Sequence, residues 1–135
     1  MNGMTAIVLF LVAALLVGVF AFGSRRSTAA RPRSVDAEVI EQLRQAGSDL
    51  SKPHEIEFFL YFPAEANAEA AAKALPDRGF SHRVTRAARG TESLLLLTRP
   101  MIPDEAGLAQ LRRELDAIAR QHGGKYDGWG SPVVD

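Results

Sequence analysis

Two hydrophobic periodicities alternate between residues 36 and 130 and predict an α+β fold, an antiparallel sheet with helices on one face. The first observation is Glu55–Phe62, EIEFFLYF, the densest aromatic and β-branched run outside the N-terminal segment. The second is a pair of helical patterns after it, Ala64–Leu75 and Asp104–His122. The third is their order. A helix is followed by strand, helix, strand, strand, helix, strand, the split βαβ (βαββαβ) pattern of a ferredoxin-like sheet preceded by an extra helix.

Within Glu55–Phe62 successive side chains point to opposite faces. Ile56, Phe58, Leu60 and Phe62 form a wholly apolar set and are expected to face a core. Glu55, Glu57, Phe59 and Tyr61 form a mixed set, so that face is expected to be only partly covered. It serves either as a contact surface or as a second packing layer against the first helix.

That helix is expected over Asp36–Ala46, with Val39, Ile40 and Leu43 on one side. Ser34 or Asp36 can cap it, and Gly47 suits the left-handed position after its end. Ala64–Leu75 is rich in alanine, which favours helix and lets it approach a sheet closely. Phe80–Arg86 reads as a strand at an edge, with Phe80, His82 and Val84 on one face. Ala87–Thr91, holding Gly90, reads as a hairpin connection to Ser93–Thr98, SLLLLT. That short apolar run suits a strand covered on both faces. Arg99-Pro100-Met101-Ile102-Pro103 then reads as a stiff connection. In Asp104–His122 the apolar positions Leu108, Leu111, Leu115 and Ile118 recur at helical spacing, and Gly123-Gly124 stops the pattern. Lys125–Trp129 is the last expected strand.

The chain divides at residues 23 and 35. Thr5–Phe22 has 18 residues without a charge. At 1.5 Å per residue it spans about 27 Å, close to a bilayer core. A cleaved signal peptide would carry its positive charge before the apolar run. Here Arg25, Arg26, Arg31 and Arg33 follow it. The expectation is therefore a retained transmembrane helix over residues 1–23 and a flexible basic linker over 24–35. By the positive-inside tendency the domain, 36–135, would lie in the cytoplasm of a bacterium, at its inner membrane.

Charge limits what the domain binds. From Asp36 onward, 12 basic side chains stand against 16 acidic ones, a net of about −4. That is a poor match for a phosphate backbone. Phe59 and Tyr61 resemble a base-stacking platform, but the strand around them is acidic and no RNP1 pattern is present, so no direct nucleic-acid binding is expected. The chain has no cysteine, which excludes disulfides and thiolate metal sites. His54, His82 and His122 fall on different elements, and no HExxH, GxSxG or P-loop occurs. Glu55 and Glu57 share a strand face and could do acid–base work with a histidine, but solvated carboxylates on a half-open sheet are the expected reading. No catalytic residue, cofactor or metal is expected.

The tail Tyr126-Asp127-Gly128-Trp129-Gly130 can be read in two ways. Trp129 packs the last strand and Gly128 relieves a bulge, or Tyr126, Asp127 and Trp129 form a recognition surface. This tail, together with Gly47-Ser48-Asp49, Ile56-Glu57 and Gly79-Phe80, resembles the family of the regulator of ribonuclease E activity B (RraB), over about Asp36–Gly130. The resemblance implies a non-catalytic α+β domain that regulates by protein contact, with ribonuclease E or a related endoribonuclease as partner. Glu57, Phe59, Tyr61, Tyr126, Asp127 and Trp129 are the candidate contact residues. An unrelated protein partner at the membrane is the alternative.

Overall fold

The computed structural model describes residues 8–9, 34–88 and 90–135. In chain order the elements are β1 (Val8–Leu9), α1 (Val35–Gln45), β2 (His54–Phe62), α2 (Glu65–Lys73), β3 (Ser81–Arg86), β4 (Ser93–Met101), α3 (Glu105–Gln121) and β5 (Lys125–Pro132). The sheet runs β1-β5-β2-β4-β3 with every pairing antiparallel. From β2 onward this is the expected split βαβ order, with four full-length strands. β1 adds two residues, Val8 and Leu9, against Pro132 and Ser131. The rest of Thr5–Phe22 and the linker before Ser34 lie outside the described residues. Among the described residues no helix is long and apolar enough to cross a membrane.

β2 sits between β4 and β5 and buries His54, Ile56, Phe58, Leu60 and Phe62. Leu95 and Leu97 of β4, Leu108, Leu111, Leu115 and Ala119 of α3, and Ala68, Ala71 and Ala72 of α2 complete the core with Leu43 and Trp129. Each large side chain withdrawn from water contributes roughly 1.5–3 kcal/mol. The alanines of α2 let that helix lie close against β3 and β4. Every residue of this core that the structure describes falls within 34–135.

α1 takes Ser34 as its cap, the Ser34 hydroxyl accepting from Ala37 N–H at 3.1 Å. Its end is a Schellman closure: Gly47 N–H donates to Arg44 O, Ser48 N–H to Leu43 O, and Gly47 takes φ 88°. The helix packs on α3, sending Leu43 into the core beside Val39 and Ile40. It therefore lies on the same side of the sheet as α2 and α3, and does not form a layer over Phe59 and Tyr61.

Two expectations change. β4 continues through Arg99 and Pro100 to Met101, where a loop connection was expected. Beyond Thr98 it no longer has β3 beside it and pairs only with His54–Ile56 of β2, so a residue without an N–H is tolerated there. SLLLLT is covered on one face only: Leu95 and Leu97 are fully buried while Leu94 and Leu96 are half-buried. α1, α2 and α3 all lie on one side, so alternate leucines point to the other. In β3, Val84 and the preceding Phe80 pack on the core but His82 is exposed, because β3 is the sheet edge. Phe80 meets the Phe58 ring edge-on at 5.9 Å.

Candidate functional site

Strand pairing aligns three rows of side chains on the sheet face opposite α1, α2 and α3. Lys125, Tyr61, Leu94 and Thr85 lie abreast from β5 to β3. Gly128, Phe59, Leu96 and Arg83 form the next row, and Gly130, Glu57, Thr98 and Ser81 the third. The centre is thus two aromatics beside two leucines, all half-buried, with Glu55 and Glu57 above them. Glycines at 128 and 130 place no side chain on the β5 flank of Phe59 and Glu57.

Charged groups close the lower rim. Lys125 Nζ stands 3.8 Å from Glu92 Oε1 and 6.0 Å from the centre of the Tyr61 ring. Asp127 is the extra residue of a bulge, since β5 shifts register between Phe59 and Leu60. Burial pushes the Asp127 carboxyl above its ordinary range; Lys125 opposes the rise and Glu92 adds to it. The Tyr61 phenol is raised by burial and then by Asp127 and Glu92. Asp127 therefore sits beside Tyr61, Lys125 and Glu92, on the open face.

The other two tail residues are not on that surface. Trp129, opposite Phe58, is only 5 % exposed, and Tyr126, opposite Leu60, packs against the core. Trp129 Nε1–H donates to Asp36 Oδ1 at 3.1 Å, and Arg112 Nη1 lies 3.1 Å from Asp36 Oδ2. The guanidinium approaches off its N–H direction, so Oδ2 is charge-paired without a hydrogen bond. The Tyr126 hydroxyl is buried without a hydrogen-bond partner, and burial, followed by the Asp36 charge, pushes its phenol far above the usual range. Asp36, Arg112, Tyr126 and Trp129 tie α1, α3 and β5 together. As recognition anchors Tyr126 and Trp129 are out of reach, because their strand positions share the face of Phe58 and Leu60. The packing role of Trp129 and the bulge at Gly128, with φ 124°, agree with the structural reading of the tail.

A serine–histidine pair that the sequence did not flag lies under the C-terminus. Ser48 Oγ is 2.6 Å from His54 Nε2, and His54 Nδ1 is 2.8 Å from Lys52 O. A carbonyl only accepts, so Nδ1 carries the proton and Nε2 accepts from the Ser48 hydroxyl. The Ser48 oxygen in turn accepts from Val134 N–H at 2.9 Å, while Asp49 N–H donates to Val134 O at 2.6 Å. Both side chains are buried and fully engaged, so they fasten the tail rather than present a nucleophile. Sequence separation hid the pairing: nothing local announces that Val134 returns to Ser48.

The glutamates and histidines weighed for acid–base work do not converge. Glu55 and Glu57 point to the open face, His54 into the core, His82 is exposed on the edge, and His122 caps α3. Among the described residues no group of three or more His, Asp or Glu side chains could hold a metal ion. A cavity of about 340 Å³ lies between Arg78, Arg99, Ile102 and Gln110. Its charges are already engaged: Arg78 with Glu114 at 2.9 Å, Arg99 over the Phe80 ring at 5.4 Å, and Asp104 accepting from Gly107 N–H at 2.7 Å.

Residues 33–131 match the family model described as regulator of ribonuclease activity B. The chain belongs to that family. The matched span takes in α1, α2 and α3, the strands β2, β3 and β4, and β5 up to Ser131, and stops just short of the fastened tail. No curated protein matches the chain. The family is one of regulators of ribonuclease activity.

Proposed function

We propose that this chain is a membrane-tethered regulatory module that binds an endoribonuclease of the ribonuclease E type and inhibits it by occlusion. The open sheet face carries this reading. Four neighbouring half-buried apolar side chains, Phe59, Tyr61, Leu94 and Leu96, with charges at their rim, make the composition of a protein contact: an apolar centre inside a polar border. The contact residues are Glu57, Phe59, Tyr61 and Asp127, joined by Leu94 and Leu96; Tyr126 and Trp129 support that face from behind. Residues 1–23 form the anchor, 24–35 the linker and 36–135 the binding domain, facing the cytoplasm at the inner membrane. The support for the anchor is the uncharged Thr5–Phe22 run followed by four arginines. Its insertion would take Val8 and Leu9 away from Pro132 and Ser131, leaving the pairing of β5 with β2 over residues 125–130 in place.

The test is an RNA-cleavage assay with purified ribonuclease E and rising amounts of the 34–135 fragment. Inhibition is expected, with loss of at least about tenfold in apparent affinity for Phe59→Asp and Leu96→Asp. Absence of both inhibition and binding with the folded wild-type fragment would sink the ribonuclease reading. Tethering is tested on the full chain by alkaline carbonate extraction of membranes, where release into the supernatant counts against an anchor.

A further inference from the structure

Val8 and Leu9 carry two incompatible assignments. In the structure they form β1, extended backbone paired antiparallel with β5, Val8 opposite Pro132 and Leu9 opposite Ser131. Both residues also fall inside the uncharged run Thr5–Phe22. A segment that spans a bilayer must close its backbone hydrogen bonds within itself, as a helix. Leu9 would then stand about 20 Å from Phe22 along the helix axis, across most of the hydrocarbon. Paired strands lie about 4.8 Å apart. The folded domain cannot follow Leu9 into lipid, because its charged surface would lose its water. The far end of β5 depends on which assignment holds. β2 pairs with β5 over residues 125–130, and among the described residues Ser131 and Pro132 pair only with β1. They lead directly into the tail that Ser48, Asp49 and Lys52 hold through Val134 N–H, Val134 O and Asp135 O.

We propose that β1 pairing and membrane insertion are alternative states of the same residues, so that membrane attachment switches the end of β5. This switch rests on the anchor reading given above and adds to it a competing state away from lipid. Off the membrane, residues 8–9 hold Ser131 and Pro132 as a strand pair. On insertion the Ser131 backbone and the Pro132 carbonyl lose that strand; Pro132 has no N–H to lose. The coupling is reciprocal. Whatever fastens residues 8–9 to β5 opposes insertion, and whatever draws them into lipid unpairs the end of β5.

The chain has no cysteine, so an introduced pair reports the docked state alone. Leu9→Cys with Ser131→Cys puts two thiols on directly opposite strand positions, within disulfide reach. Ser81→Cys with Thr98→Cys, opposite each other on β3 and β4, is the control inside the domain. The full chain is synthesised cell-free, with or without vesicles of phosphatidylethanolamine and phosphatidylglycerol, and then oxidised. Without vesicles both pairs should cross-link. With vesicles the control should be unchanged, while the 9–131 cross-link falls at least about tenfold in the carbonate-resistant fraction. Protein oxidised before vesicles are added should stay carbonate-extractable until a reductant is supplied. Adding Ala14→Arg, which opposes insertion, should keep the 9–131 cross-link when vesicles are present. A 9–131 cross-link that persists in carbonate-resistant protein overturns the switch and leaves the anchor. So does its absence without vesicles while the control forms. Protein that carbonate always releases removes the anchor reading and, with it, the switch.

Discussion

Replacing Asp36 with Ala and Trp129 with Phe, singly and together, measures the bond that closes α1 onto β5. Asp36 is 2 % exposed, Trp129 5 %, and the indole N–H donates to the carboxylate at 3.1 Å. A hydrogen bond to a charged group contributes about 1.5–3 kcal/mol. Trp129→Phe also shrinks a buried side chain, so its cost is expected at roughly 2–4 kcal/mol. Asp36→Ala orphans the indole N–H but ends the burial of a carboxylate. Its partner Arg112, 39 % exposed, can turn to water, so the expected cost is about 1–3 kcal/mol. The double variant should then be less destabilised than the sum by about 1.5 kcal/mol or more, because each single change already removes the shared bond. Urea unfolding of the 34–135 fragment, followed by far-ultraviolet circular dichroism, gives all four stabilities without relying on Trp129 emission. Additivity within about 0.5 kcal/mol would refute the coupling and reduce Asp36 to a helix-start charge.

Three further outcomes follow from the same structure. Tyr126→Phe removes a buried hydroxyl that has no partner, and urea midpoints should show unchanged or raised stability, by up to about 1 kcal/mol. Gly124→Ala should destabilise by about 1–3 kcal/mol or block folding, since a methyl there meets the Tyr61 carbonyl oxygen and the Phe62 ring; a neutral thermal melt contradicts it. Asp127 has a folded pKa raised above its unfolded value, so the folded state holds the proton longer and this residue's contribution falls as pH rises upward from the ordinary carboxylate value. Asp127→Asn should therefore flatten the stability profile of the fragment in that window and match or exceed the wild type at neutral pH.

Much of the fold was legible because period and punctuation agree. Glu55–Phe62 alternates without a break, and the observed strand starts one residue earlier, at His54. The 3.6-residue spacing of Leu108, Leu111 and Leu115 placed the buried stripe of α3. Pro100 misled because a proline in an apolar run reads as an end. Only the neighbour list of β4, with β3 absent after Thr98, makes it harmless. The leucines of SLLLLT misled for a related reason: a continuous apolar run does not say how many layers cover it. The placement of the candidate contact residues was legible only in part. Glu57, Phe59, Tyr61 and Asp127 stand on the open face, whereas Tyr126 and Trp129 turn to the core by the bulge and register of β5. A bulge is a decision of two strands, so neither sequence stretch contains it.

The sequence by itself determined which segments become strands and helices, and which face of β2 is apolar, because those follow from local propensity and spacing. Which side of the sheet each helix takes was decided only by tertiary structure. α1 has one apolar side and could have covered either face of β2; Leu43, Val39 and Ile40 pack with α3 instead, and Asp36 reaches Trp129 from there. That choice puts α1, α2 and α3 on the face of the sheet opposite Phe59, Tyr61, Leu94 and Leu96. Burial of one face depends on contacts between residues far apart in the chain, such as Asp36 with Trp129, and these form only when the whole sheet is assembled.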